Sequence, residues 1–182
     1  MSAYNFAKEQ QNKTFFHSEE LTLFDKWSIS IYLIMTIVVA IYYDRIDVGY
    51  AHFLIILYAG GLQMFIYLIL YISLRNFRCY LIWFGFSMIH LAMYFVMKDD
   101  KRLLSLQGSP VALLRNTFVL LLFFQVLRYI SLKTQHIELV SPSKASYQDF
   151  FNTRKVTLID KALFVAYCAV LGTLVYFSFP DW

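Results

Sequence analysis

Residues Val111–Ile130 read VALLRNTFVLLLFFQVLRYI, and the architecture turns on them. A helix needs roughly 20 mostly apolar residues to cross about 30 Å of hydrocarbon. This run has the length, but Arg115, Asn116, Gln125 and Arg128 interrupt it. Gly108-Ser109-Pro110 precedes it and makes a good helix start, with Ser109 as N-cap and Pro110 at the first helical position. A helix from there to Lys133 is long enough to cross, with Arg115 and Arg128 reaching along their methylene stems to opposite interfaces. The run is read as a span. The alternative, a short interfacial helix, leaves four spans in the chain.

The other four runs are cleaner. Trp27–Tyr43, Ala51–Leu74, Cys79–Met97 and Ala162–Pro180 contain no Asp, Glu, Lys or Arg. With Val111–Ile130 they predict an all-α integral membrane protein, a bundle of five transmembrane helices over residues 27–180. The chain is 59% hydrophobic and 15% charged, where a soluble domain has about 45–50% and about 25%. That composition excludes a disordered chain and leaves no room for a large aqueous catalytic domain.

Basic residues set the expected orientation. In a five-span chain Lys8, Lys13, Lys26, Arg75, Arg78, Arg128, Lys133, Lys144, Arg154, Lys155 and Lys161 fall on one side. Arg45, Lys98, Lys101, Arg102 and Arg115 fall on the other. This bias predicts a cytoplasmic N-terminus and an outside C-terminus. Residues 1–26 are then a cytoplasmic tail, in which Ser18, followed by Glu19 and Glu20, is expected to cap a short helix. Residues 131–158 form a cytoplasmic loop. No small-residue cleavage site follows the first run, so it is expected to be a retained anchor. Trp27, Tyr71, Tyr80, Trp83 and Tyr129 are expected near the inner interface, and Tyr42, Tyr43, Tyr50, Tyr94 and Trp182 near the outer. The Ile- and Tyr-rich composition points to a bacterial cytoplasmic (inner) membrane.

Within the long loop, Lys144, Tyr147, Phe150, Phe151, Arg154 and Lys155 interleave aromatic and basic side chains. They read as a docking surface for a partner or for anionic lipid, worth about 1 kcal/mol per basic residue near the leaflet. The alternative is a loop resting on headgroups for topology alone. The net charge of +4 is accounted for by topology, so nucleic-acid binding is not expected.

Polar side chains at membrane depth are the remaining pointers. Counted from the cytoplasmic ends at about 1.5 Å per residue, Gln63, His90, Arg115 and Asn116 lie at similar depth. Together they read as a ligand site, proton-linked switch or gate, or else as interhelical hydrogen bonds worth about 0.6 kcal/mol each. His52 and His90 differ by about 16 Å in depth, which argues against a bis-His haem. No H-x3-H or C-x2-C spacing is present. Neither metal, cofactor nor catalytic residue is expected. Cys79 and Cys168 read as small core residues.

Two packing signals stand out. Ala162, Ala166, Ala169 and Thr173 form one narrow stripe of small residues, either an oligomer seam or internal packing. Gly60 and Gly61 offer a close crossing or a flexible point. The run Val119–Phe124 is apolar all round and suits lipid contact. The expected function is a non-enzymatic membrane subunit that assembles as a homo-oligomer or with a membrane or cytoplasmic protein partner, as a scaffold, oligomeric pore or effector. The alternative is a small transporter, channel or sensor using the intramembrane polar site.

Overall fold

The computed structural model describes residues 18–43, 45–103, 108–142 and 156–179. Five helices in it are long and apolar enough to cross a membrane: α1 (Leu23–Tyr42), α2 (Val48–Leu68), α3 (Phe77–Met97), α4 (Ala112–Gln135) and α5 (Leu158–Ser178). The described residues contain no β-strand. The interrupted run is therefore a full-length helix, and the five-helix reading holds over the four-helix one.

Local chemistry sets the helix starts. α1 opens on a capping box: the Thr22 hydroxyl accepts from the Asp25 N–H at 3.1 Å, and the Asp25 carboxylate accepts from the Thr22 N–H at 2.9 Å. α5 repeats the device with Thr157 and Asp160. Each box satisfies two N–H groups that the first turn leaves without helical partners. Both helices thus begin about four residues before their charge-free runs, because a capping aspartate is at home at a helix N-terminus. Ser18 does not cap: residues 18–22 are not helical, and the rest of the tail lies outside the described residues. Ser109 does not cap α4 either. Its hydroxyl accepts from the Val111 N–H at 3.4 Å, closing a local turn before the helix begins.

Cross-links identify which ends lie together. The Asn76 side chain caps α3 and also exchanges hydrogen bonds with the backbone of Glu19, ahead of α1. Arg75, between α2 and α3, donates to the Leu139 carbonyl beyond α4. Gln135 at the end of α4 donates to Asp160 at the start of α5, 2.9 Å. The five helices therefore alternate in direction, and the chain enters at one end of the bundle and leaves at the other. The end that holds these links is here the N-terminal end.

α4 is the hub, packed against α2, α3 and α5. Half of its apolar window is buried inside the protein, against 22% for α1 and 17% for α5. This position explains the interrupting polar residues. A peripheral helix must be apolar toward its surroundings, whereas a central one places polar groups where neighbouring helices satisfy them. Val119–Phe124 is accordingly not an all-round outward surface: Leu120, Leu121 and Phe124 are core, while Val119 and Leu122 face out. Tyr71 and Trp83, expected at the interface, are buried as well, whereas Trp27, Tyr42, Tyr50 and Tyr129 are exposed.

α2 is irregular. Ile56–Gly60 forms a π-turn inside it, and beyond Leu68 the chain runs through a 3-10 turn at Ser73–Arg75. No atom lies within 4 Å of a Cβ built on Gly60 or Gly61, so neither glycine mediates a close crossing. The buried small residue there is Ala59.

The segment after α4 departs most from the sequence reading. Ser131–Gln135 are helical, and the left-handed His136 (φ 56°) ends the helix. The chain then folds back, and Glu138, Leu139, Val140 and Ser141 are buried. Only part of the expected water-facing loop is left, and its docking residues Lys144, Tyr147, Phe150, Phe151, Arg154 and Lys155 lie outside the described residues.

Candidate functional site

A chain of buried polar side chains crosses the middle of the bundle. The Tyr32 hydroxyl of α1 lies 2.7 Å from Nε2 of His90 on α3. The other imidazole nitrogen, Nδ1, lies 3.2 Å from the Thr117 hydroxyl on α4. Gln63 of α2 reaches the same point, its Nε2 donating to the Leu113 carbonyl at 2.6 Å and to Thr117 at 3.4 Å. On the other flank Tyr58 stacks on Tyr32 with ring centroids 5.0 Å apart, and its hydroxyl lies 2.7 Å from Thr36. Four helices thus meet around one imidazole.

One proton assignment gives every hydroxyl in the chain an acceptor. Thr36 donates to the Tyr32 carbonyl at 2.8 Å, so Tyr58 donates to Thr36. Tyr32 donates to His90 Nε2, and His90 Nδ1–H donates to Thr117, which donates to the Leu113 carbonyl. The imidazole is then the neutral Nδ1–H tautomer, with both nitrogens occupied. Both edges of the ring are spent on protein, and aromatic rings wall the site: Tyr58 at 4.7 Å and Tyr32 at 5.8 Å from the imidazole centroid, with Trp83 and Phe86 against Tyr32. The arrangement can lock four helices or pass a proton between hydroxyls. One buried acceptor, Gln63 Oε1, has no partner.

Of the four expected site residues, the structure brings Gln63 and His90 together and sends the others elsewhere. Asn116 donates to the Leu174 carbonyl (3.1 Å) and the Ser178 hydroxyl (2.8 Å), tying α4 to the last turn of α5. Arg115 lies over the Tyr94 ring, 5.7 Å from its centroid. Successive helical residues point about 100° apart, so shared depth does not give a shared face. The residue that joins Gln63 to His90 is Thr117. Its sequence signal is faint because threonine is ordinary in apolar helices. Tyr32 and Thr36 were readable as an i, i+4 pair on the one polar face of α1.

The N-terminal end holds a second constellation. Arg128 and Glu138, both buried, form a bidentate ion pair through Nε (2.8 Å) and Nη2 (2.7 Å). Arg75, also buried, lies over the Tyr71 ring and grips the neighbouring Leu139 carbonyl. Arg128 therefore does not extend to an interface. Glu138 supplies its counter-charge from within.

The expected packing residues divide by face. On α5, Leu163, Tyr167 and Ser178 turn inward, and the Tyr167 hydroxyl donates to the Gln63 carbonyl at 2.6 Å. Ala162, Ala169 and Thr173 are exposed, whereas Ala166 is half-buried against the core, so three of the four stripe residues face away from the bundle. Cys79 is buried but Cys168 is exposed, against the expectation that both are core. Among the described residues no group of three His, Cys, Asp or Glu side chains is placed to hold a metal ion.

Five apolar helices joined in one bundle define a fold compatible with a multi-pass membrane protein. Comparison with family models, curated proteins and solved structures finds no match.

Proposed function

We propose that the protein is a non-enzymatic, multi-pass membrane subunit that assembles with itself or a partner inside the bilayer. The observation that carries this reading is the set of small residues on the outward side of α5. Leu163 and Tyr167 pack into the bundle, while Ala162, Ala169, Gly172 and Thr173 are turned outward beside the exposed large side chains Leu158, Val165, Tyr176 and Phe177. Lipid contact alone gives no reason for small residues on an outward face, whereas close helix approach requires them. The mid-bundle polar chain fits the same reading, since it fastens four helices and spends its groups on one another. On the distribution of Lys and Arg, eleven against five, the N-terminal end faces the cytoplasm, and the Ile- and Tyr-rich composition points to a bacterial inner membrane.

The test replaces Ala162 and Ala169 together by leucine. Both are exposed, so the bundle itself should fold. The complex extracted in mild detergent should fall to single chains, while His90→Ala should leave its mass unchanged. A complex that survives the double leucine variant overturns the reading.

A second reading, a small transporter, channel or sensor with an intramembrane polar site, is favoured by one observation: a single imidazole joins α1, α3 and α4. It requires that His90→Ala abolish activity while expression and assembly stay intact.

A further inference from the structure

We propose that Arg128, with Arg75 on the adjoining Leu139 carbonyl, forms an anion-binding site at the N-terminal end of the bundle, occupied in this structure by the protein's own Glu138, so that residues 137–141 act as an autoinhibitory strap. The proposal is independent of the assembly reading and rests on other residues.

The strap has an unusual means of attachment. It carries no helix or strand, yet Glu138, Leu139, Val140 and Ser141 are buried. Two guanidinium groups hold consecutive residues of it: Arg128 holds the Glu138 carboxylate with two hydrogen bonds, and Arg75 holds the Leu139 carbonyl. Ser131 adds a hydrogen bond to the Ile137 carbonyl, 3.0 Å. The two arginines come from separate elements, the turn after α2 and the last third of α4. Gln125 fixes those elements to each other by donating to the Leu74 carbonyl, 3.2 Å. The arginine framework is thus tied together without the strap.

A bidentate guanidinium–carboxylate pair has the same geometry that guanidinium uses for phosphate. An incoming carboxylate or phosphate therefore takes over the two Arg128 hydrogen bonds of Glu138, while release of the strap gives up the Arg75 and Ser131 bonds and exposes Leu139 and Val140. A buried ion pair contributes little net stability, because desolvation offsets most of its Coulomb attraction, whereas removing one partner is costly. Exchange of one anion for another is the inexpensive change at such a site, and loss of the anion is the expensive one. A free anion and the phosphate of a lipid headgroup share this chemistry.

The test uses the full chain. Amide exchange of residues 137–142 is followed in neutral detergent with inorganic phosphate against chloride at matched ionic strength. It is followed in parallel in phosphatidylcholine nanodiscs with and without phosphatidic acid. Phosphate or phosphatidic acid should speed exchange in the strap and leave α3 unchanged. A response in detergent assigns a free anion, and a response confined to nanodiscs assigns a headgroup. Glu138→Gln removes the internal competitor and should tighten apparent phosphate affinity by about tenfold or more. Adding Arg128→Gln to that variant should abolish it. If neither probe changes strap exchange in the unaltered chain, the proposal is overturned, whether or not the variants fold. Equal phosphate affinity in the unaltered chain and Glu138→Gln overturns it as well.

Discussion

Arg128 and Glu138 stand ten residues apart and close on each other through two parallel hydrogen bonds across the end of α4. The pair holds the chain against the bundle just beyond the end of α4. It also makes residues 138–141 part of the buried fold.

Breaking this pair from one side should be expensive. Glu138→Ala leaves a buried guanidinium without its carboxylate and should cost about 3–5 kcal/mol. Replacing both partners by methionine should cost much less, because no charge is stranded. Unfolding midpoints of the two single variants and the double variant form the cycle that checks this.

Tyr32→Phe removes the donor to His90 Nε2 while keeping the stack on Tyr58. A hydrogen bond between membrane helices averages about 0.6 kcal/mol and reaches about 1.7, and the orphaned nitrogen places this loss toward the upper figure. In a His90→Phe background the same substitution should cost far less. Equal losses in both backgrounds would show that Tyr32 does not act through the imidazole.

Gly60→Ala and Gly61→Ala should be neutral or stabilising by up to about 1 kcal/mol, since alanine is the better helix former. The space for a methyl group is open at both positions. Ala59→Leu at the adjacent buried site should destabilise by overpacking. Thermal unfolding of the three variants in one detergent separates the open face from the closed one.

Thr157→Ala should cost about 1–2 kcal/mol, at the upper end for an N-cap, because the same hydroxyl also lies 2.7 Å from Gln135 at the end of α4. Thr22→Ala, whose side-chain bonds stay within its own box, should cost about 1 kcal/mol. Exchange protection of the first turns of α5 and α1 measures the difference.

Hydropathy and charge were enough to read the five helices, because each needs about 20 apolar residues and the chain has few polar residues to place elsewhere. Depth counting was enough to bring Gln63 to His90. It failed for Arg115 and Asn116 because depth carries no information on azimuth, and Thr117, one position on, holds the face between them and the imidazole. Polar residues in α4 looked like defects in a span and proved to be the attachments of a central helix. Glu138 was illegible because a carboxylate three residues beyond a helix end normally faces water. The nearby apolar Ile137, Leu139 and Val140 were the available sign that this segment is buried.

The assembly reading stands or falls on the mass of the particle extracted from the membrane. Native mass measurement after mild solubilisation should find a multiple of the chain mass, or the chain with a protein partner in fixed ratio. A lone chain carrying only lipid would contradict it.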